Sequence, residues 1–331
     1  MALMANKISK IGVFTSGGDA PGMNAAIRAV VRASAYYQKD VFGIIRGYEG
    51  MIDGEIVKLG PRSVGNILQR GGTILKSARS DSFRTKEGRA KALENLKKQG
   101  INALVAIGGD GTFTGLHTFY EECGIPAVCI PGTIDNDIAG TDYTIGYDTA
   151  TNTAVEAIDR IRDTALSHNR LFFIEVMGRH SGYIAINSGI AGGAVAVIIP
   201  EQDISFDELY SLLEQSGKAH KKSSLIVVAE GSKIGGANEL AKMVAERSNY
   251  FDIKVTILGH LQRGGSPTYF DRVLASRMGV AAVEGLLKGE KDSMVGIFNN
   301  KIVFNQFADI MNGQHHEIDQ ESLRIAKILS I

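Results

Sequence analysis

Ala103-Leu104-Val105-Ala106-Ile107-Gly108-Gly109-Asp110-Gly111-Thr112 decides the fold. Five apolar residues are too few for a helix and read as a buried strand. Two glycines end the strand, and a helix follows near Thr114–Glu122. The same grammar recurs at once: Ala127-Val128-Cys129-Ile130 reads as a strand and runs into Pro131-Gly132-Thr133-Ile134-Asp135-Asn136-Asp137. Strand, glycine-rich exit, helix and strand again is the signature of parallel sheets.

Working outward, the pattern holds along most of the chain. Ile11 to Thr15 predicts a strand, Met23 to Tyr37 a helix, Val41 to Ile45 a strand and Glu87 to Gln99 a helix. Beyond the opening stretch come helix 149–166, strand 171–176, helix 182–191 and strand 195–199. Helix 206–217, strand 225–229, helix 239–248 and strand 254–258 follow. The fold class is therefore α/β, in three α/β/α layers with mainly parallel sheets. Ligands in such folds bind at the carboxyl ends of strands, where the glycine clusters lie. Gly140-Thr141-Asp142 interrupts the rhythm and suggests a boundary near residues 140–148.

The 331 residues suffice for two domains. Formal net charge is zero, which argues against broad attraction to nucleic acid or membrane, so an anionic ligand must meet local Arg and Lys clusters. No run approaches the ~18 apolar residues of a membrane span. No leader pattern opens the chain, and a cytoplasmic location is expected. Cys123 and Cys129 make neither a disulfide framework nor a zinc site.

The strand exits carry the chemistry. Glycines let main chain approach phosphate oxygens. Three carboxylates, Asp110, Asp135 and Asp137, suit a magnesium ion or a hydroxyl proton. Asp135 and Asp137 share one side if their segment stays extended; alternatively the segment is a polar turn. Asp110 is alternatively a helix N-cap. Thr15-Ser16-Gly17-Gly18-Asp19-Ala20-Pro21-Gly22-Met23-Asn24 joins the first strand to the first helix; helix N-termini attract phosphate, and alternatively this is a tight turn with no ligand. It matches neither a Walker loop nor a dinucleotide fingerprint. Arg79, Arg170, Arg179 (in Met177-Gly178-Arg179) and the pair His260 and Arg263 (in Gly259-His260-Leu261-Gln262-Arg263-Gly264-Gly265) are candidate basic groups for phosphate oxygens; alternatively each Arg is a solvated surface residue. These parts suit phosphoryl transfer.

Taken together, these motifs resemble the ATP-dependent 6-phosphofructokinases of the bacterial type, from about residue 8 to about residue 300. The resemblance implies two Rossmann-like lobes: 1–146 plus about 260–310 for ATP, and 147–259 plus about 311–331 for the sugar phosphate. It implies transfer of the ATP γ-phosphoryl group to the 1-hydroxyl of fructose 6-phosphate, the committed step of glycolysis. Asp135 would be the base, with Arg179, Asp137 and Thr133 also catalytic. A carboxylate near its ordinary pKa of ~3.9 suffices as base if the transition state is loose. Asp110 would hold Mg2+. Gly18, Tyr48, Arg79, Ser80, Gly109, Asp110, Gly111 and Thr112 would bind ATP. Thr133, Asp135, Asp137, Met177, Gly178, Arg179, Glu230, His260 and Arg263 would bind the sugar phosphate. Arg170 and Lys254 would reach a neighbouring subunit's site in a homotetramer, and Lys at 254 lacks the fork of the family's usual Arg.

The resemblance also implies a site for an ADP or phosphoenolpyruvate effector at Arg28, Arg32, Arg162 and Lys221. Val195, Ala219 and Pro61 (with Arg62 beside it) depart from the family pattern there. Gly111 and Gly132 stand where pyrophosphate-using members carry Asp and Lys, which favours ATP over the nearest rival reading. A silent nucleotide sensor on the same fold would lack one of the three carboxylates. A dinucleotide-dependent oxidoreductase would need fingerprint glycines that are absent.

Overall fold

The computed structural model describes residues 8–165, 170–218, 224–248, 250–312 and 318–329. Leu166, Ala219 and Lys221 lie outside the described residues. Elements run β1 (Lys10–Thr15), α1 (Met23–Tyr36), β2 (Asp40–Ile44), α2 (Gly47–Asp53), β3 (Ile56–Leu59), α3 (Lys86–Gln99), β4 (Ala103–Gly108), α4 (Asp110–Cys123), β5 (Ala127–Thr133), β6 (Ile145–Gly146) and α5 (Tyr147–Ala165). They continue β7 (Arg170–Val176), α6 (Tyr183–Ala191), β8 (Ala196–Ile198), α7 (Phe206–Lys218), β9 (Ser224–Ala229), α8 (Ala237–Arg247) and β10 (Asp252–Ile257). Then come α9 (Tyr269–Lys288), β11 (Ser293–Phe298), β12 (Lys301–Gln306), α10 (Phe307–Asn312) and α11 (Gln320–Leu329).

Two compact units share the chain. The first holds Met1–Thr133, Ile138–Asp148 and Arg263–His316; the second holds Ile134–Asp137, Thr149–Gln262 and Glu317–Ile331. The tetrapeptide 134–137 thus belongs to a different unit from the strand that delivers it.

In the first unit the strands are ordered β12-β11-β5-β4-β1-β2-β3, with β6 beside the end of β5. The neighbours β2, β1, β4, β5 and β11 are parallel, and the outer strands β3 and β12 are antiparallel. Alternation along a strand sends successive side chains to opposite faces. Phe14, Leu104 and Ala106 join one buried cluster with Tyr48 and Met51 of α2, Leu96 of α3, Phe113 and Phe119 of α4 and Phe307 of α10. Ile11, Val13, Val105 and Ile107 are equally buried on the other face. There α1 and α9 pack on each other and on the strands. That double burial is why the strands read as unbroken apolar runs.

The second unit has the all-parallel order β10-β7-β9-β8. Leu171, Phe173, Ile198, Ile226 and Val228 bury against Leu209 and Leu213 of α7 and Leu240 and Val244 of α8. The α6 helix contacts β8 and β9, and α11 packs on α6.

Candidate active site

The β4 exit is built for close approach. A Cβ at Gly108 would lie 2.3 Å from Thr112 Oγ1 and 2.6 Å from the Ser16 carbonyl oxygen, so only glycine fits. Gly109, not Asp110, is the N-cap residue of α4, and Asp110 sits exposed in its first turn. The helix starts four residues earlier than its apolar pattern announces. Beside Gly111 there is open space. Thr112 is buried, and its carbonyl accepts a 2.5 Å hydrogen bond from the Tyr48 hydroxyl. Tyr48 is itself buried and stacks on Phe83 with ring centroids 4.0 Å apart. Burial pushes its phenol well above the usual range, so it serves here as a neutral donor.

Ser80 Oγ accepts from the Phe83 amide at 3.1 Å, and Arg79 is exposed next to it. Arg89 anchors the same turn: it donates to the carbonyls of Phe83 and Arg84 at 3.0 and 2.8 Å and to both Glu122 oxygens at 2.7 and 2.6 Å. Gly18 is exposed on the first loop. Arg263 lies across that loop, with Nη1 donating to the Asp19 carbonyl at 3.2 Å. The structure therefore groups Arg263 with Gly18 in the first unit, while His260 falls in the second.

Strand β5 does not stop at Ile130 but continues to Thr133. Pro131 is tolerated because the β11 pairing covers only Val128 and Cys129. The Thr133 carbonyl accepts from Thr144 Oγ1 at 2.7 Å. Beyond it, of the two courses open to Asp135 and Asp137, the chain takes the turn and not the extended one. Asn136 has φ 51°, so the backbone turns between the two carboxylates. Asn tolerates the left-handed region better than most residues, and this position uses that tolerance.

In the second unit Asp135 is buried at 3% exposure. The Arg179 Nε lies 3.8 Å from its Oδ2. Ser181 Oγ donates to the Asp135 carbonyl at 2.8 Å, a contact that nothing in the sequence pattern announces. Arg179 itself is an exposed residue with φ 54°, and Gly178 before it has φ 142°. Glu230 Oε1 accepts from the amides of Gly178 and Arg179 at 3.3 and 2.8 Å. Met177 is buried at the β7 exit, and His260 is exposed after β10. Arg170 and Lys254 stand on neighbouring strands and both meet Asp252, at 3.0 and 2.7 Å. Those two cations hold the Asp252 carboxyl below the usual carboxylate range. Asp252 was not singled out by the sequence reading; the alternating charges Asp252-Ile253-Lys254 on an edge strand were its signal.

For the effector residues, Arg28 and Arg32 lie one helical turn apart on α1 in the first unit. Arg162 is in the second unit, and its Nη2 donates to the Gly193 carbonyl at 3.1 Å. Val195 is buried two residues on.

The family described as phosphofructokinase matches residues 10–286 of the chain. A Thermus thermophilus protein named ATP-dependent 6-phosphofructokinase 1 is 55% identical, over 98% of this chain and 100% of its own length. A Cytophaga hutchinsonii protein named ATP-dependent 6-phosphofructokinase is 53% identical, over 98% of both chains. Among solved structures, phosphofructokinase from Saccharomyces cerevisiae superposes with a TM-score of 0.85 at 39% identity. That match covers 96% of this chain but only 46% of the yeast chain. A pyrophosphate-dependent phosphofructokinase from Marinobacter aquaeolei shares the fold with a TM-score of 0.84 at 22% identity, covering 98% of this chain and 92% of that one.

Proposed function

The chain belongs to the phosphofructokinase family, and from that premise we propose that it transfers the ATP γ-phosphoryl group to the 1-hydroxyl of fructose 6-phosphate. The products are fructose 1,6-bisphosphate and ADP, a step of glycolysis. The observation that carries the choice of donor is Gly111, which faces open space at the start of α4. A nucleotide's phosphates have room there, and the relatives at 55 and 53% identity carry ATP in their names.

The first unit supplies the nucleotide side: Gly18, Gly109, Gly111 and Thr112 through backbone amides, with Arg79 and Ser80 at the rim. Tyr48 supports this side from within, through Thr112. Asp110 fits Mg2+, since it is an exposed carboxylate in a run without nitrogen or sulfur ligands. Bound there, the ion would offset charge on the β- and γ-phosphates. The second unit supplies the acceptor side. Asp135 takes the proton of the 1-hydroxyl, late in a loose transition state. Arg179, its neighbouring counter-charge, meets charge on the transferring group. Asp137, Met177, Gly178, Glu230 and His260 orient the sugar phosphate, and Thr133 and Arg263, which belong to the first unit, are assigned to it as well. Arg170 and Lys254 act in a neighbouring subunit's site within a homotetramer. Arg28, Arg32, Arg162 and Lys221 form the remnant of an effector site for a phosphorylated ligand. A coupled assay with fructose 6-phosphate, offering ATP or pyrophosphate, tests the reading. ATP-dependent turnover is expected, and faster turnover with pyrophosphate would overturn it.

A further inference from the structure

The β7 exit, from Met177 to Arg179, is held from both sides by neighbouring strands. From β9, Glu230 Oε1 accepts the amides of Gly178 and Arg179. From the turn after β10, Gln262 Oε1 accepts the Met177 amide at 2.9 Å. Gln262 is fully buried, at 0% exposure. The segment between these clamps is strained. Arg179 sits at φ 54°, a left-handed conformation that disfavours a residue with a Cβ. Gly178 sits at φ 142°, where a Cβ would come 2.3 Å from the Ser181 carbonyl oxygen. Strain of this kind persists only when the surroundings over-determine the backbone. The strained turn is what brings the Arg179 Nε to 3.8 Å from Asp135 Oδ2.

Stability alone gives Gln262 little reason to be an amide. Its Oε1 makes one buried hydrogen bond, but its Nε2 has no partner among the described residues. A satisfied acceptor and an orphaned donor are of comparable and opposite weight. What the side chain does supply is geometry, because it fixes the Met177 amide from the side that Glu230 does not reach.

We propose that Gln262 is a positioning residue of the phosphoryl-transfer site: through Met177 it sets the turn that aims Arg179 at Asp135. The inference rests on the roles assigned above to Arg179 and Asp135. Gln262→Met keeps the length and removes the acceptor. It should lower kcat/KM for fructose 6-phosphate about 10–100-fold, as a displacement of the order of 1 Å does at such a site. The KM for ATP should stay within about twofold, because the residues assigned to ATP lie in the other unit. Gln262→Glu, which keeps an oxygen facing the Met177 amide, should restore kcat/KM to within about threefold of the parent. If Gln262→Met fails to fold, Gln262→Asn keeps the carboxamide one methylene short, and the same loss is expected. Arg179→Ala measured beside them separates the two readings. If Arg179→Ala is crippled while Gln262→Met and Gln262→Asn keep parental kcat/KM, the positioning role is overturned and the site stands. Parental turnover in Arg179→Ala would instead overturn the site on which the role depends.

Discussion

Two residues carry the sharpest tests. Asp135 is buried beside a guanidinium, and Asn is nearly its isostere but cannot accept the proton. Asp135→Asn should lower kcat about 10²–10⁴-fold with little change in KM, read from steady-state kinetics; near-parental kcat would remove Asp135 from the base role. Gly111→Asp tests donor choice cleanly, because no atom lies near the new Cβ and the fold has no reason to object. On the proposed reading a carboxylate there would face nucleotide phosphate, so KM for ATP should rise at least tenfold with an unchanged melting temperature. An unchanged KM for ATP would move the nucleotide away from this loop. The sequence marked both residues because strand exits advertise themselves. It did not mark Ser181, Asp252 or Gln262. Their partners, the Asp135 carbonyl, Arg170 and the Met177 amide, lie 46, 82 and 85 residues away; the charge alternation Asp252-Ile253-Lys254 hints at one of them, and no local pattern encodes the other two.

Elements buried on both faces were legible, since β4 and the central residues of β1, β5, β7 and β9 are apolar runs. The short β3 and β6, the β11–β12 hairpin and the long α9 were not foreseen. In β3 and β12 the residues are partly exposed and the apolar signal is diluted. The α9 helix buries ten of its residues, so polar and apolar positions do not separate into clear faces. The join between the 3₁₀ turn at Ser82–Arg84, α3 and α4 carries its own prediction. Hydrogen bonds from Arg89 hold the Glu122 carboxyl below its ordinary range, against the opposing effect of burial. A depressed carboxyl contributes stability above its unfolded pKa of ~4.3 and loses it as pH falls through the lower folded value. Glu122→Gln should therefore lower the melting temperature by a few degrees at pH 7. The gap from the parent should narrow progressively as pH falls below ~4.3 and close once the lower folded value is passed. A gap that does not narrow at all as pH falls below ~4.3 would assign the effect to packing instead of charge.

At the scale of the molecule, the proposed sharing of Arg170 and Lys254 between subunits has a direct consequence. Asp135→Asn and Arg170→Ala should each be poor enzymes, yet hybrids formed by mixing and reassembling the two should regain activity. Some sites in a hybrid combine an intact Asp135 with a neighbour's intact Arg170. No recovery, in hybrids shown by mass to contain both chains, would confine Arg170 to its own subunit. The break in rhythm alone suggests a seam near 140–148, and the family resemblance adds crossings near 260 and 310; the chain changes unit after 133, 137, 148, 262 and 316. The excursion of 134–137 into the second unit leaves no compositional mark, because it begins at an ordinary strand exit.

The interleaving of the chain bears on how the protein is made. The first unit needs α9 packed on α1, and the two approach so closely that a Cβ on Gly279 would touch Ala29. On the ribosome α1 emerges some 250 residues before α9. At ~5–20 residues per second, its apolar face waits ten seconds or more for a cover. Slow or interrupted synthesis should therefore expose this face to chaperones and to aggregation, even though the finished fold buries it completely.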